Sequence, residues 1–171
     1  MRIRTCTLRD LPRVVRIERT SFGQEAYSVT TFLAHVLRDR RGLLVAEDEE
    51  GRIVGYALSR AGLRWLGVRR GGITSIAVDP PHRRRGFGRA LMAAALDYLR
   101  DSGVEEADLE VNVGNRAAQS LYQAFGFVQS RLLPHYYGLD ENGLKMVLDM
   151  RPSSATHRAA QAGGAHRSRN G

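Results

Sequence analysis

Three arginines, Arg83, Arg84 and Arg85, stand directly before Gly86 and Gly88, and Arg89 then opens the alanine- and leucine-rich run "ALMAAALDYL". Guanidinium donors, glycines without a Cβ and the unpaired N–H groups of a helix start together suit a phosphate or pyrophosphate. Two familiar phosphate loops do not fit. The P-loop needs a lysine after its glycines and none follows here, and the dinucleotide fingerprint needs a third glycine where this chain has Leu91. On the arginine run alone, a solvated basic turn is an equal reading. His82 and His135 have no metal-like partners nearby in sequence, so no metal is expected. Cys6 is the only cysteine, which excludes an intramolecular disulfide and a cysteine-rich zinc site.

The elements that must hold this junction can be read from periodicity. "RIRTCT" alternates as a strand and places Cys6 in core packing; a helix opens near Asp10 with Leu11, Val14, Val15 and Ile17 as its apolar positions. After the break "SFGQEAYS", Ser28 caps a second helix expected to bury Phe32, Leu33, Val36 and Leu37. "GLLVAED" and "IVGYALSRA" read as a hairpin, "LRWLGVRRGG" as a loop stopped by its glycines, and "ITSIAVD" as a strand ended by Pro80 and Pro81. The helix from Arg89 to Arg100 is apolar around most of its circumference, as a helix lying on a sheet must be. "ADLEVNV" alternates, with Leu109, Val111 and Val113 on one face and Asp108, Glu110 and Asn112 on the other. Asn115 caps a helix with Ala118, Leu121, Tyr122 and Phe125 on one stripe and Gly126 as its stop. "FVQSRL" and "LKMVLDM" close the chain as strands around the loop "LPHYYGLDENG". The order predicts one α+β domain, a mixed sheet flanked by helices.

The 171 residues suffice for one domain with a core, and no apolar stretch approaches the roughly 20 residues of a membrane span. The opening residues lack the apolar core of a secretory signal, so a cytoplasmic location is the expectation. Half of the net charge of +8 comes from residues 151–171, where Arg151, Arg158, Arg167 and Arg169 meet no acid. That segment is rich in Ser, Ala and Gly and is expected to be a disordered basic tail capable of weak nucleic-acid contact. Residues 1–150 are the expected domain. Lys145 is the only lysine among 26 Lys and Arg residues.

"VDPPHRRRGFGRALM" resembles the acetyl-CoA loop of the GNAT N-acetyltransferase superfamily, R/Q-x-x-G-x-G/A, filled here by Arg83, Gly86 and Gly88. "NRAAQSLYQAFGF" resembles that superfamily's second motif, N-x-x-A-x-x-L-Y-x-x-x-G-F. Within the superfamily the chain is most similar to the protein N-terminal acetyltransferases, above all the bacterial ribosomal-protein alanine (RimI-type) group, through "SIAVDP", "LEV" before "NRAA", and the pair Tyr136 and Tyr137. The break "FGQEAYS" departs from the Phe-Pro-Trp-like sequence of that group.

The resemblance implies a central mixed, mostly antiparallel sheet with helices on both faces, and acetyl-CoA as acetyl donor without a metal. It implies backbone binding of the pantetheine and thioester by Ile76, Ala77 and Val78. The pyrophosphate would be held by Arg84, Arg85, Gly86, Phe87, Gly88 and Arg89, and the cofactor's far side by Asn115. Glu110 would be the general base and Tyr122 the general acid. A base is chemically required, because an α-amino group with a pKa near 8 is largely protonated at neutral pH. Without the motif Glu110 reads as a solvated strand carboxylate and Tyr122 as a core tyrosine. Tyr136 and Tyr137 read equally as lining a peptide groove or packing a loop. The implied activity is direct acetyl transfer, in a ternary complex, to the N-terminal α-amine of a protein or peptide such as a ribosomal protein, with no membrane partner. A small-molecule amine or lysine side chain is the alternative acceptor, and a non-catalytic RNA- or ribosome-binding module the alternative class.

Overall fold

The computed structural model describes residues 1–65 and 67–151; residues 152–171 of the basic segment expected to be disordered lie outside the described residues. The chain runs β1 (Arg2–Thr5), α1 (Leu11–Phe22), α2 (Val29–Asp39), β2 (Leu43–Glu47), β3 (Ile53–Trp65), β4 (Val68–Val78), α3 (Phe87–Asp101), β5 (Glu106–Asn112), α4 (Arg116–Ala124), β6 (Val128–Gly138) and β7 (Glu141–Asp149). The seven strands form one sheet in the order β1-β2-β3-β4-β5-β7-β6. Every neighbouring pair is antiparallel except β4 and β5, which are parallel and joined through α3, because a parallel pair needs a crossover. This is the α+β architecture expected. Among the described residues no helix is long and apolar enough to cross a membrane.

The two faces of the sheet carry separate cores. Strand alternation sends Leu43, Val45, Tyr56 and Leu58 toward α1 and α2, where they meet Val14, Ile17, Phe32 and Val36. It sends Leu44, Ala46, Ala57 and Leu109 to the opposite face, against Leu91, Met92, Leu96 and Leu99 of α3 and Tyr122 of α4. The helix starts follow from their caps. Asp10 accepts from both the Thr7 N–H (2.7 Å) and the Thr7 hydroxyl (2.8 Å) and is held by Arg4 at 2.6 Å, so the chain turns into α1 at a fixed angle. Ser28 accepts from the Thr31 N–H to start α2, and Asn115 from the Ala118 N–H (3.1 Å) to start α4.

Three local expectations differ from the structure. In the glycine-rich "LRWLGVRRGG", residues up to Trp65 and from Val68 onward continue the ladder of β3 and β4 instead of forming a loop of their own. Its glycines mark crowding: a Cβ at Gly71 would lie 2.7 Å from the Arg60 carbonyl oxygen, and one at Gly72 2.3 Å from Asp108 Oδ1. "LPHYYGLDENG" is likewise strand on both sides, with only Leu139 and Asp140 between β6 and β7, and a register shift between Leu133 and Gly138 absorbs the extra residues. On α2, Phe32 and Val36 are buried, but Leu33 and Leu37 are 37% and 75% exposed. The helix meets the sheet along a narrower stripe than its sequence offers.

This burial pattern sets a paired expectation. Leu91→Ala, in a fully buried site, is expected to lower unfolding free energy by about 2–5 kcal/mol. Leu37→Ala is expected to change it by less than about 0.5 kcal/mol. Urea unfolding of the two variants beside the parent checks both; equal losses would contradict the assigned faces.

Candidate active site

The ladder between β4 and β5 holds for only three pairs, Arg70 with Glu106, Gly71 with Ala107 and Gly72 with Asp108. Beyond them the strands separate, and β5 continues its pairing with β7 alone. On its other side β4 stays paired with β3 up to Val78. The Asp79 N–H donates to the Val54 carbonyl at 2.8 Å, which fixes the alternation: Ala77 bonds toward Tyr56, while the N–H and C=O groups of Ile76 and Val78 face the opening. Arg83 Nε donates to the Val78 carbonyl at 3.0 Å. Among the described residues the N–H groups of Ile76 and Val78 have no ladder partner. Of the three residues expected to bind through their backbone, Ile76 and Val78 therefore present those groups to the opening. Ala77 turns its main chain to β3 and its side chain into the core under α1.

The arginine-glycine junction lies at the same end of β4. Proline ends the strand in a short turn at Pro80–His82, and the chain then takes left-handed conformations at Arg84 (φ 61°) and Gly86 (φ 87°) before α3 begins at Phe87. A left-handed arginine is strained by about 1–2 kcal/mol, and such strain gathers where a loop is shaped for a ligand. The first intrahelical bond is Ala90 N–H to the Gly86 carbonyl (3.0 Å), so the N–H groups of Phe87, Gly88 and Arg89 are left at the helix end, where a positive dipole favours an anion. The Phe87 ring is buried and anchors the turn, packing edge-on to His82. A Cβ at Gly88 would meet Leu121 and Val78 only at 3.7 and 3.8 Å, ordinary contact distances. No close packing inside the protein requires glycine there, and its bare Cα lies between β4 and α4 beside the opening. The side chains divide: Arg84 and Arg85 are exposed at the junction, Arg89 lies over the Phe125 ring at 5.3 Å, and Arg83 is engaged with β4. Asn115 is exposed; its amide oxygen caps α4, which leaves the amide nitrogen for other contacts.

On the α1–α2 face, β5 presents Asp108, Glu110 and Asn112, the polar half of its alternation. Glu110 lies 3.7 Å from Lys145 Nζ, and Asp108 is held by Lys145 (2.8 Å) and Arg60 (2.6 Å). The paired tyrosines are strand residues of β6, their rings edge-to-face at 4.9 Å. Tyr136 lies over Gly143 of β7, where a Cβ would come within 3.1 Å of it. Burial pushes the Tyr137 phenol well up, and Tyr136, Glu110, Tyr122 and Glu25 push it further, so this ring is within electrostatic reach of both residues expected to be catalytic. Burial raises the Tyr122 phenol to about 12 and keeps it protonated. Its ring packs edge-on to Phe127.

Two residues at this site were not anticipated. Tyr27, in the connection between α1 and α2, is 40% exposed and feels Glu18, Glu110 and Arg60, which brings that connection to the cleft opposite β6. Glu18 of α1 is 1% exposed and accepts from the Tyr27 N–H (2.9 Å), the Ser75 hydroxyl (3.2 Å) and the Tyr56 hydroxyl. One carboxyl thus ties the acceptor-side connection to β3 and β4. A sequence signal existed: Glu18 continues the spacing Leu11, Val14, Val15, so an acid stands on the apolar stripe of its helix. Among the described residues no cluster of His, Cys, Asp and Glu has metal-holding geometry.

A model of the Acetyltransferase (GNAT) family matches residues 10–127. An N-alpha-acetyltransferase of Sulfolobus acidocaldarius is 37% identical over 153 residues, covering 85% of this chain and 90% of that protein. The [ribosomal protein bS18]-alanine N-acetyltransferase of Escherichia coli is 31% identical over 128 residues, covering 75% and 81%. The crystal structure of Ard1 from Thermoplasma volcanium superposes with a TM-score of 0.78 at 30% identity, over 88% of this chain and 98% of that one.

The buried Glu18 carboxyl carries a pH signature. Burial holds its pKa above the usual value of 4.5, so its contribution to stability is fully present below about pH 4.5 and is lost as pH rises through the folded-state value. Glu18→Gln keeps an acceptor for Tyr27 and does not ionise. Its melting temperature relative to the parent is expected to rise as pH increases above about 4.5; a difference independent of pH would contradict the assignment.

Proposed function

The chain belongs to the GNAT acetyltransferase family, whose members use acetyl-CoA, and from that premise we propose that it acetylates the N-terminal α-amino group of a protein or peptide in the cytoplasm. The observation that carries this reading is the convergence at one end of the β4–β5 opening: unpaired backbone donors and a glycine-arginine anion turn on one side, and Glu110 among Tyr27, Tyr136 and Tyr137 on the other. The relatives named for N-alpha and ribosomal-protein alanine acetylation support an α-amine over a small-molecule amine or a lysine side chain, and a ribosomal protein is the acceptor we infer.

Each group has work suited to its position. Acetyl-CoA, when bound, supplies an activated acetyl thioester. The N–H groups of Phe87, Gly88 and Arg89, with Gly86 in its left-handed turn and the Arg84 and Arg85 guanidinium groups, would hold the pyrophosphate. Ile76 and Val78 would bind the pantetheine arm through their main chain, and one of their N–H groups would polarise the thioester carbonyl. The Asn115 amide nitrogen would contact the cofactor's far side. Tyr27, Tyr136 and Tyr137 would line the peptide groove, and Glu110 would take a proton, through water, from the acceptor ammonium. The neutral amine can then attack the thioester directly, without an acetyl-enzyme.

Tyr122 is suited to a narrower task than full acid catalysis. A thiol is a stronger acid than a phenol, near 8.5 against about 10 in water, and burial raises the Tyr122 phenol to about 12, so complete proton transfer from Tyr122 to the departing sulfur is uphill. A hydrogen bond from the phenol, strengthening as charge develops on sulfur, costs no such transfer.

Calorimetric titration with acetyl-CoA, followed by thiol release on adding an alanine-starting peptide, tests the reading. Gly88→Ala is expected to leave stability within about 1 kcal/mol of the parent, while the added methyl weakens acetyl-CoA binding. Glu110→Gln is expected to lower kcat/KM for the peptide roughly 100- to 10,000-fold with cofactor binding intact. Tyr122→Phe is expected to lower kcat and leave the peptide KM little changed. Full activity in the Glu110→Gln, Tyr122→Phe double variant, or a trapped acetyl-enzyme, would overturn the mechanism.

A further inference from the structure

The chain has one lysine among its 26 Lys and Arg residues, and it stands in the acceptor cleft. β7 pairs Lys145 directly opposite Glu110 of β5. Its Nζ lies 2.8 Å from Asp108 Oδ2 and 3.7 Å from Glu110 Oε1, and Arg60 of β3 reaches the other oxygen of Asp108 at 2.6 Å. Two cations and two carboxylates therefore alternate across the sheet, in the order Arg60, Asp108, Lys145, Glu110. Gly72 makes the row sterically possible, since a Cβ there would lie 2.3 Å from Asp108 Oδ1. An ammonium is a compact charge with three rotatable donors and can stand between two carboxylates; an arginine at this position would keep the cation, as Arg4 does between Asp10 and Glu47.

The chemistry of the cleft gives that bridge a consequence. Nearby carboxylates stabilise the ammonium form of an amine, and a fixed cation opposes them. Asp108 and Glu110, joined by Glu25 at the cleft's edge, would by themselves hold an incoming α-amine protonated and unreactive. The phenols around Glu110, those of Tyr27, Tyr136 and Tyr137, have their pKa values raised and stay neutral, so they supply no compensating charge. Arg131 of β6, the register neighbour of Lys145 on its other side, is exposed.

We propose that Lys145 is a positioning residue for acetyl transfer: bridging Asp108 and Glu110, it holds the Glu110 carboxyl oriented in the cleft and offsets the negative charge that would keep the acceptor amine protonated. This rests on the reading of Glu110 as the base.

The test has two readouts, each in the full chain. In carbon-13 NMR of labelled glutamate side chains, with Glu110 assigned by Glu110→Gln, Lys145→Met is expected to raise the pH at which the Glu110 carboxyl titrates, and Lys145→Arg to restore it. In steady-state kinetics with the alanine-starting peptide, Lys145→Met is expected to move the pH profile of kcat/KM upward by about one pH unit, near a tenfold loss at neutral pH on the acidic limb, with the acetyl-CoA KM unchanged and Lys145→Arg close to the parent. Should the methionine variant fail to fold, Lys145→Gln carries the same comparison. An unmoved Glu110 titration overturns the proposal, and so does a moved titration beside an unmoved kinetic profile. If the parent releases no thiol with α-amine peptides, the functional reading has failed; the titration then decides the charge bridge by itself, a rise sustaining it and no change overturning it.

Discussion

The separation of β4 from β5 after three pairs is the constraint from which the rest of the architecture follows. A sheet normally closes every ladder in its interior, because an unpaired buried N–H or C=O is destabilising by about 1–3 kcal/mol. Here the middle of a seven-stranded sheet is left open. The molecule tolerates this because both strands are secured from outside the opening: β4 by its long pairing with β3, and β5 by β7 along its whole length. α3 crosses from the end of one to the start of the other and covers their shared face with Leu91, Met92, Leu96 and Leu99. At the exit of β4, Arg13 from α1 reaches Asp79 at 2.5 Å and the Ile53 carbonyl at 2.9 Å, which fixes where the strand ends and the anion turn begins.

The two sides of the opening are built in different ways. The donor side is made largely from main chain: free N–H groups on β4, left-handed residues in the turn, and a helix start. The proposed acceptor side is made from side chains carried by five separate pieces of chain, β3, β5, β6, β7 and the α1–α2 connection. Glu18 is where the two are joined. Its carboxyl takes hydrogen bonds from β3, from Ser75 of β4 and from the Tyr27 N–H, so a residue buried under α1 couples the position of the acceptor-side tyrosine to the strand that faces the donor.

Much of this was legible in the sequence because local rules suffice where an element's signals agree. The caps Ser28 and Asn115, the proline stop after β4, the alternation of β5 and the apolar girth of α3 all appear where periodicity and cap chemistry predict them. Reading failed where a residue's local habit was overruled by a neighbour distant in sequence. Gly71 and Gly72 look like turn residues, yet they are strand positions cleared for Arg60 and Asp108. Leu33 and Leu37 have the spacing of a buried stripe, but α2 packs through Phe32 and Val36 and leaves them exposed. The "HYYG" stretch carries loop-like residues and nevertheless lies within β6, as an irregularity between the Leu133 and Gly138 pairings with β7. The motifs pointed to the arginine-glycine turn, Glu110 and Tyr122 as candidates, whereas Tyr27 and Arg60 reach the cleft through tertiary packing that leaves no local trace.

The proposed recognition by main chain has an evolutionary consequence. A backbone N–H at Ile76 or Val78 is present whatever side chain the codon specifies, so many point mutations there would alter packing without erasing the donor group itself. The acceptor cleft has no such insurance. Each of its polar groups is the tip of one side chain, replaceable in a single substitution, on a strand or in a short connection. A scaffold of this kind can keep one activated donor while its acceptor preference drifts, since the two halves are exposed to mutation at very different rates of loss.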